Sequence, residues 1–347
     1  MRGSGLFRFR HFSGMGGHHT LFHHTQQSPT IPDNIDNQYK IINKIGEGSF
    51  GVIYNGVNIL TDQPIAAKFE RRHADVLQLQ EEYRIYKHLE GAEGLPSIYY
   101  FGHEGDFNVL VMDLLGPSLE ELFELCDRQF TPKTVAIIGK QMLRLLQGIH
   151  GKGWLYRDVK PDNFLIGRPR TPGEKQLYLI DFGMAKPYID PKTGKHIIYR
   201  ERGCLSGTAR YMSINTHQGK EQSRRDDLES LAYVLLYFLR GALPWQGVKA
   251  ANSKQKYEKI GEIKRTTSVE KLCAGFPMEF AIFLHYARKL RFDDTPDYEF
   301  CMQTFDRALK RINEVDDGVC DWMTMNDGKG WEATERKEKP KPLMLEY

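Results

Sequence analysis

The sequence predicts an α+β chain of two lobes, a small strand-rich N-lobe over residues 37–115 and a larger helical C-lobe over 116–313. Up to Asp113 the apolar residues fall in short β-branched and aromatic runs separated by glycines and polar breaks. Beyond the breaker pair Gly116-Pro117 they recur every three or four residues, the period of a helix. At 347 residues the chain can fill one large or two modest domains, and a cleft between two lobes commonly holds a ligand.

Val52 and Tyr54, then Ile65 to Phe69, read as strands. Gln78 to Leu89 carries Leu79, Tyr83, Tyr86 and Leu89 at helical spacing, and Asn108 to Leu115 is a further apolar strand. In the second lobe Val135, Ile138, Met142, Leu145, Leu146 and Ile149 mark one face of a helix. Thr131 and Pro132 open it, as a cap residue followed by proline does. Leu228 to Leu239 is apolar almost all round, the pattern of a helix buried in a core. Phe280 to Leu290 and Phe300 to Ile312 add two more helices.

Residues 1–36 hold His11, His18, His19, His23 and His24, three arginines and no acid before Asp33. They read first as a disordered tail and second as a basic targeting leader. A histidine metal site comes last, because no spacing orders the ligands. Residues 314–347 read as a charged C-terminal tail, rich in Lys, Glu and Pro from Trp331 onward. No myristoylation or prenylation motif is present, so no membrane anchor is visible. The most apolar run, Leu231 to Leu239, falls well short of the ~20 residues of a membrane span. A net charge of +3 gives no case for nucleic acid. Five scattered cysteines without a Cys-x-x-Cys pair fit a reducing compartment, cytoplasmic or nuclear, and a monomer is expected.

Four motifs carry chemistry. The first is Ile45-Gly46-Glu47-Gly48-Ser49-Phe50-Gly51-Val52-Ile53. A dinucleotide-binding turn needs a helix after its glycines; here strand residues follow, so the loop reads as a hairpin whose backbone can approach phosphates. The second is Lys68 on a short apolar strand, 17 residues past Gly51. Such a lysine can pair with α- and β-phosphates when a carboxylate holds it, and Glu82 is chosen over its neighbour Glu81. The third is Tyr156-Arg157-Asp158-Val159-Lys160-Pro161-Asp162-Asn163. Asp158 accepts the proton of an attacking hydroxyl, Lys160 sits near the γ-phosphate, and Asn163 offers a hard oxygen to Mg2+. The fourth is Asp181-Phe182-Gly183, eighteen residues past Asn163, with Asp181 as the second metal ligand. Their common order and spacing point to an enzyme that takes ATP and Mg2+. The rival from another class is a binding scaffold of the same fold that has lost catalysis.

With these motifs, Tyr39 to about Arg311 resembles the casein kinase I family of serine/threonine protein kinases, and its fungal membrane-associated and gamma-type branches in particular. The likeness rests on Leu114 to Glu120, Gly207 to His217, Gln222 to Leu231 and Leu243 to Gly247. Ser213-Ile214-Asn215 stands where most kinases carry Ala-Pro-Glu, and Tyr156 stands where most carry His. The resemblance implies the two-lobed protein kinase fold and transfer of the γ-phosphate of ATP to Ser or Thr. Met112 is then the residue behind the adenine, and Asp113 and Leu115 offer backbone groups to its edge. Asp227 anchors the catalytic loop, and Lys160 with Thr208 favours a short alcohol. Arg210, Gln246, Gly247 and Lys256 match an anion pocket, which implies protein substrates with acidic or phosphorylated segments. Arg202, Arg210, Arg224, Arg225, Lys254 and Lys256 also concentrate positive charge in this part of the chain. Gly203 departs from the lysine expected of relatives and weakens one edge of that pocket.

Overall fold

The computed structural model describes residues 30–48, 51–74, 76–201 and 205–333. Ser49, Phe50, Arg202, Gly203, Cys204, the histidines before residue 30 and the chain after 333 lie outside the described residues.

The N-lobe is one antiparallel sheet with a helix against it. Its strands are β1 (Asn34–Ile35), β2 (Tyr39–Gly48), β3 (Gly51–Asn58), β4 (Pro64–Arg71), β5 (Ile98–Glu104) and β6 (Phe107–Asp113). They lie in the order β1-β2-β3-β4-β6-β5. Helix α1 (Leu79–His88) packs on the sheet and buries Leu79, Glu82, Ile85 and Tyr86. β2 and β3 are a hairpin in the register Gly46↔Ile53, Glu47↔Val52 and Gly48↔Gly51. The sheet starts at Asn34, with Ile35 fully buried, so the ordered lobe begins before the expected residue 37.

The C-lobe contains α2 (Leu119–Leu125), α3 (Pro132–Gly151), α4 (Ile214–His217), α5 (Arg224–Arg240), α6 (Ser253–Thr266), α7 (Val269–Leu272), α8 (Met278–Lys289), α9 (Tyr298–Arg311) and α10 (Asp321–Gly328). Thr131 caps α3 by accepting from Thr134 N, with Pro132 as its first residue. Ser118 and Glu121 form a reciprocal capping box on α2, which starts that helix directly after the hinge. α5 is the centre of the core, where Leu228 to Leu239 are buried. α3 crosses α5 and α9 closely at Gly139: an added Cβ would lie 3.1 Å from Leu235 and 3.3 Å from Phe305. Short ribbons β7 (Trp154–Leu155), β8 (Phe164–Ile166), β9 (Leu177–Leu179) and β10 (Lys186–Pro187) pair as β7 with β10 and β8 with β9. They flank the loops that face the N-lobe.

The expected tail from 314 is in part a packed element. α10 buries Trp322 against Phe130, with ring centres 5.4 Å apart. Composition hid it, because a few residues, Trp322 with Cys320, Met323 and Met325, do the packing within a charged and polar stretch. Among the described residues no helix is long and apolar enough to cross a membrane.

The N-terminus of α5 holds a buried acid. Asp226 is 2% exposed and accepts from Ser213 Oγ at 2.5 Å and Ser223 N at 2.8 Å. Burial pushes its carboxyl from 3.8 up to about 6. The folded chain therefore binds this proton more tightly than the unfolded chain. The contribution is fully present below about pH 4 and lost as pH rises through about 6. Wild type should lose roughly 3 kcal/mol relative to Asp226→Asn between pH 4 and 7. Urea midpoints of both proteins across that range check it, and parallel curves would discard it.

Candidate active site

The cleft between sheet and helices has two chambers. The outer one, about 600 Å³, lies beside the hinge; the inner one, about 530 Å³, reaches the loop at Asp158. Gly46, Ile53, Ala66, Met112 and Ile180 belong to the walls of both.

Lys68, on β4, enters the inner chamber from above. Its Nζ lies 2.7 Å from Glu82 Oε2 and 3.6 Å from Asp181 Oδ1. Glu82 is 2% exposed while Glu81 points outward to Arg84. Burial alone pulls the lysine down, but the two carboxylates outweigh it and hold the ammonium above its ordinary value. It stays a cation.

The floor is the loop from Tyr156 to Asn163. Asp158 is 7% exposed. Its Oδ1 accepts from Thr208 N at 3.0 Å and Thr208 Oγ1 at 2.8 Å. Its Oδ2 accepts from Lys160 Nζ at 2.7 Å. Asn163 lies in the 3₁₀ turn Pro161–Asn163, and its Nδ2 donates to the Asp158 carbonyl at 3.1 Å, leaving its amide oxygen as an acceptor. The turn before Asp158 is held from below. Asp227 Oδ2 accepts from Tyr156 N at 2.9 Å and His150 Nε2 at 2.8 Å, and Oδ1 accepts from Arg157 N at 2.8 Å. This fixes Arg157 at φ +69, a left-handed backbone that costs a side-chain-bearing residue energy.

Asp181 also sits at positive φ, +62, two residues past the end of β9. The next residue, Phe182, is fully buried between Tyr86 and Tyr156, with ring centres 5.0 and 5.4 Å away. Tyr156 Oη donates to the Ile180 carbonyl at 2.6 Å. Aromatic packing thus sets where Asp181 points. Asp181 and Asn163 offer a carboxylate and an amide oxygen on one chamber wall. That donor set suits Mg2+, which takes one or two protein oxygens and completes its shell with phosphates and water.

Gly207 joins the floor to the segment of Thr208. Its φ is +105, and an added Cβ would lie 2.6 Å from the Arg157 carbonyl, so only glycine lets these two loops touch. Lys264 pins the same segment from α6. It is fully buried, and its Nζ donates to Ala209 O at 2.9 Å and Met212 O at 2.6 Å. Trp245 Nε1 donates to Arg210 O at 2.7 Å.

At the hinge, Met112 is buried at the back of both chambers. The Asp113 N–H donates to Ser97 O at 3.0 Å, so its carbonyl is the group it can offer a ligand. The Asp113 carboxylate accepts from Ser97 N at 2.7 Å and from the Tyr99 hydroxyl. Leu115 lines the outer chamber.

The cleft thus gathers Ile45, Gly46, Glu47, Gly51, Ile53, Lys68, Glu82, Met112, Asp113, Leu115, Asp158, Lys160, Asn163 and Asp181. Arg210, Gln246, Gly247 and Lys256 do not line it. Gln246 Oε1 accepts from Leu243 N at 2.6 Å, and Arg210 lies over the rings of Tyr211 and Tyr237. Lys256 is exposed on α6. Arg224 and Arg225 do not join a common basic face. Arg224 donates to Tyr188 Oη and Asp293 O, and Arg225 to Leu290 O. Sequence reasoning missed Ala66 and Ile180 in the walls. Ala66 could have been found, since it lies two residues before Lys68 and so on the same face of its strand.

Residues 39–286 match the protein kinase domain family. Casein kinase I homolog 2 of Schizosaccharomyces pombe is 60% identical over 296 residues, 85% of this chain and 68% of that protein. Casein kinase I homolog 3 of the same yeast is 58% identical over 300 residues, 86% of this chain and 68% of that protein. Casein kinase I homolog 2 of Saccharomyces cerevisiae is 55% identical over 300 residues, again 86% of this chain but 55% of that protein. With more than half its length on these sequences and a cleft of this build, the chain belongs to the casein kinase I family and is a protein serine/threonine kinase.

Proposed function

We propose that the chain moves the γ-phosphate of ATP onto Ser or Thr hydroxyls of proteins that carry acidic or phosphorylated segments. One observation carries this reading: the Asp158 carboxylate, held by Thr208 and Lys160, faces the same chamber as the Lys68 ammonium. Lys68 receives phosphate oxygens, and Glu82 keeps it in place. Asp158 orients the hydroxyl and takes its proton. Lys160, already 2.7 Å from that carboxylate, balances charge beside the transferred group. Mg2+, with Asn163 and Asp181 as its protein ligands, neutralises phosphate charge when bound. The hairpin from Gly46 to Ile53 covers the phosphates, and the carbonyl of Asp113 with the backbone of Leu115 receives the adenine edge. Four described cysteines carry free thiols, which supports a reducing compartment, cytoplasmic or nuclear, and we read the enzyme as a monomer.

The substrate preference rests on Arg210 and Lys256. Arg210 lies two residues beyond Thr208, its guanidinium over the rings of Tyr211 and Tyr237. Lys256 is on α6, the helix whose Lys264 pins the same segment. Cations on these two segments would attract carboxylates and phosphates. The double variant Arg210→Ala plus Lys256→Ala should lose about tenfold or more in kcat/KM on a phosphate-primed peptide and less than about threefold on its unprimed counterpart. Equal losses on the two peptides would remove the anion pocket from the proposal.

A further inference from the structure

The chain after α9 returns to the cleft. Asp321 accepts from Thr131 N at 2.6 Å and Thr131 Oγ1 at 2.8 Å, and its own N–H donates to Thr134 Oγ1 at 2.9 Å. Trp322 is buried beside Phe130, and Met325 Sδ lies 3.5 Å from Cys126 Sγ at the end of α2. The segment is thus fastened to the start of α3 and then to α2, the helix that follows the hinge.

It then turns sharply. Asn326 and Asp327 both take left-handed backbone, φ +54 and +57, and Gly328 and Gly330 follow at +79 and +73. Asn326 Nδ2 donates to Gly330 O at 3.0 Å and closes the turn. Two successive side-chain-bearing residues at positive φ are costly and persist where the surroundings impose them. The turn delivers Trp331 into the wall of the outer chamber, together with Ile45, Leu115, Pro117 and Glu121. Trp331 is partly buried against the core. It lines the chamber and does not fill it, since about 600 Å³ remains. A flat, electron-rich indole at the edge of a chamber that takes a heteroaromatic base is suited to pack on that base.

We propose that Trp331 is a nucleotide-contacting residue, and that residues 321–331 are a fixed strap forming the outer wall of the base end of the cleft. The inference rests on the reading that this cleft binds ATP. It assigns a binding role to a position outside the span matched by the protein kinase domain.

The test uses the full chain as wild type, Trp331→Ala and Trp331→Phe. ADP affinity is measured by calorimetry, and steady-state kinetics are run with varied ATP and varied peptide. Trp331→Ala should raise the ADP Kd and the ATP KM about tenfold, and Trp331→Phe roughly two- to threefold. kcat at saturating ATP and the peptide KM should stay within about twofold. ADP should also change the tryptophan emission of wild type, and Trp331→Phe should remove most of that change. Unaltered nucleotide affinity in folded Trp331→Ala overturns the proposal. So does tighter binding, which would make the strap an obstruction. A merely structural role would lower the melting temperature and kcat while leaving the ATP KM in place. If Trp331→Ala does not fold, affinity and emission in Trp331→Phe decide. A wild-type chain that fails to bind ADP overturns the ATP reading itself, and the strap with it.

Discussion

Asp158→Asn should lower kcat by about a thousandfold while ADP affinity stays within a few-fold of wild type. Both oxygens of this carboxylate already accept from donors, Oδ1 from Thr208 and Oδ2 from Lys160. An asparagine has one acceptor oxygen. Its NH2 must face either the Thr208 N–H or the Lys160 ammonium, and each is a donor. The variant therefore loses the proposed base and disturbs Lys160 at once. Asp113 and Leu115, where we propose that the base end of the nucleotide lies, are untouched. Initial rates at saturating ATP with a Ser peptide, beside an ADP titration, measure both effects. A kcat within about tenfold of wild type would take the hydroxyl-orienting role away from Asp158.

The second large effect is on folding and activity together. Asp227→Ala leaves the Tyr156 N–H, the Arg157 N–H and the His150 Nε2 donor without their buried acceptor. Each stranded donor costs about 1–3 kcal/mol, and loss of one partner from a buried charged network about 3–5 kcal/mol. Against the usual 5–15 kcal/mol of a whole domain, that is a large share. Arg157 loses the contact that keeps it at φ +69, and Asp158 is the next residue, so kcat should fall about a hundredfold or more in the fraction that folds. Urea unfolding followed by circular dichroism should show the lowered midpoint. Asp227→Asn, which keeps one acceptor oxygen, should lose less. An unchanged midpoint in Asp227→Ala would mean that the loop is held by other contacts.

The lobes were legible because periodicity changes sharply at Gly116-Pro117 and because Thr131-Pro132 announces a helix start. The hairpin was legible from the strand residues that follow Gly51. Positions facing the cleft were legible where a motif assigns chemistry to a side chain. They were hidden where shape does the work, as with Ile180, whose side chain carries no polar atom to flag it. Charge runs misled, because Arg224 and Arg225 look like a basic face but bind backbone carbonyls and aromatic rings inside the C-lobe. Lys264 was missed for the related reason that a fully buried lysine looks like any other in sequence. Trp331 was read with its Lys- and Glu-rich neighbours as tail, since composition averages over the one residue that packs.

The phenol of Tyr156 bridges the Asp158 loop and the strand before Asp181. Burial drives its pKa well above 10, so it keeps its proton at neutral and acid pH. This strut is therefore blind to acidity, and any slowing of the enzyme in mild acid must originate elsewhere; the buried Asp226 carboxyl, pushed up to about 6, is one group that changes charge there.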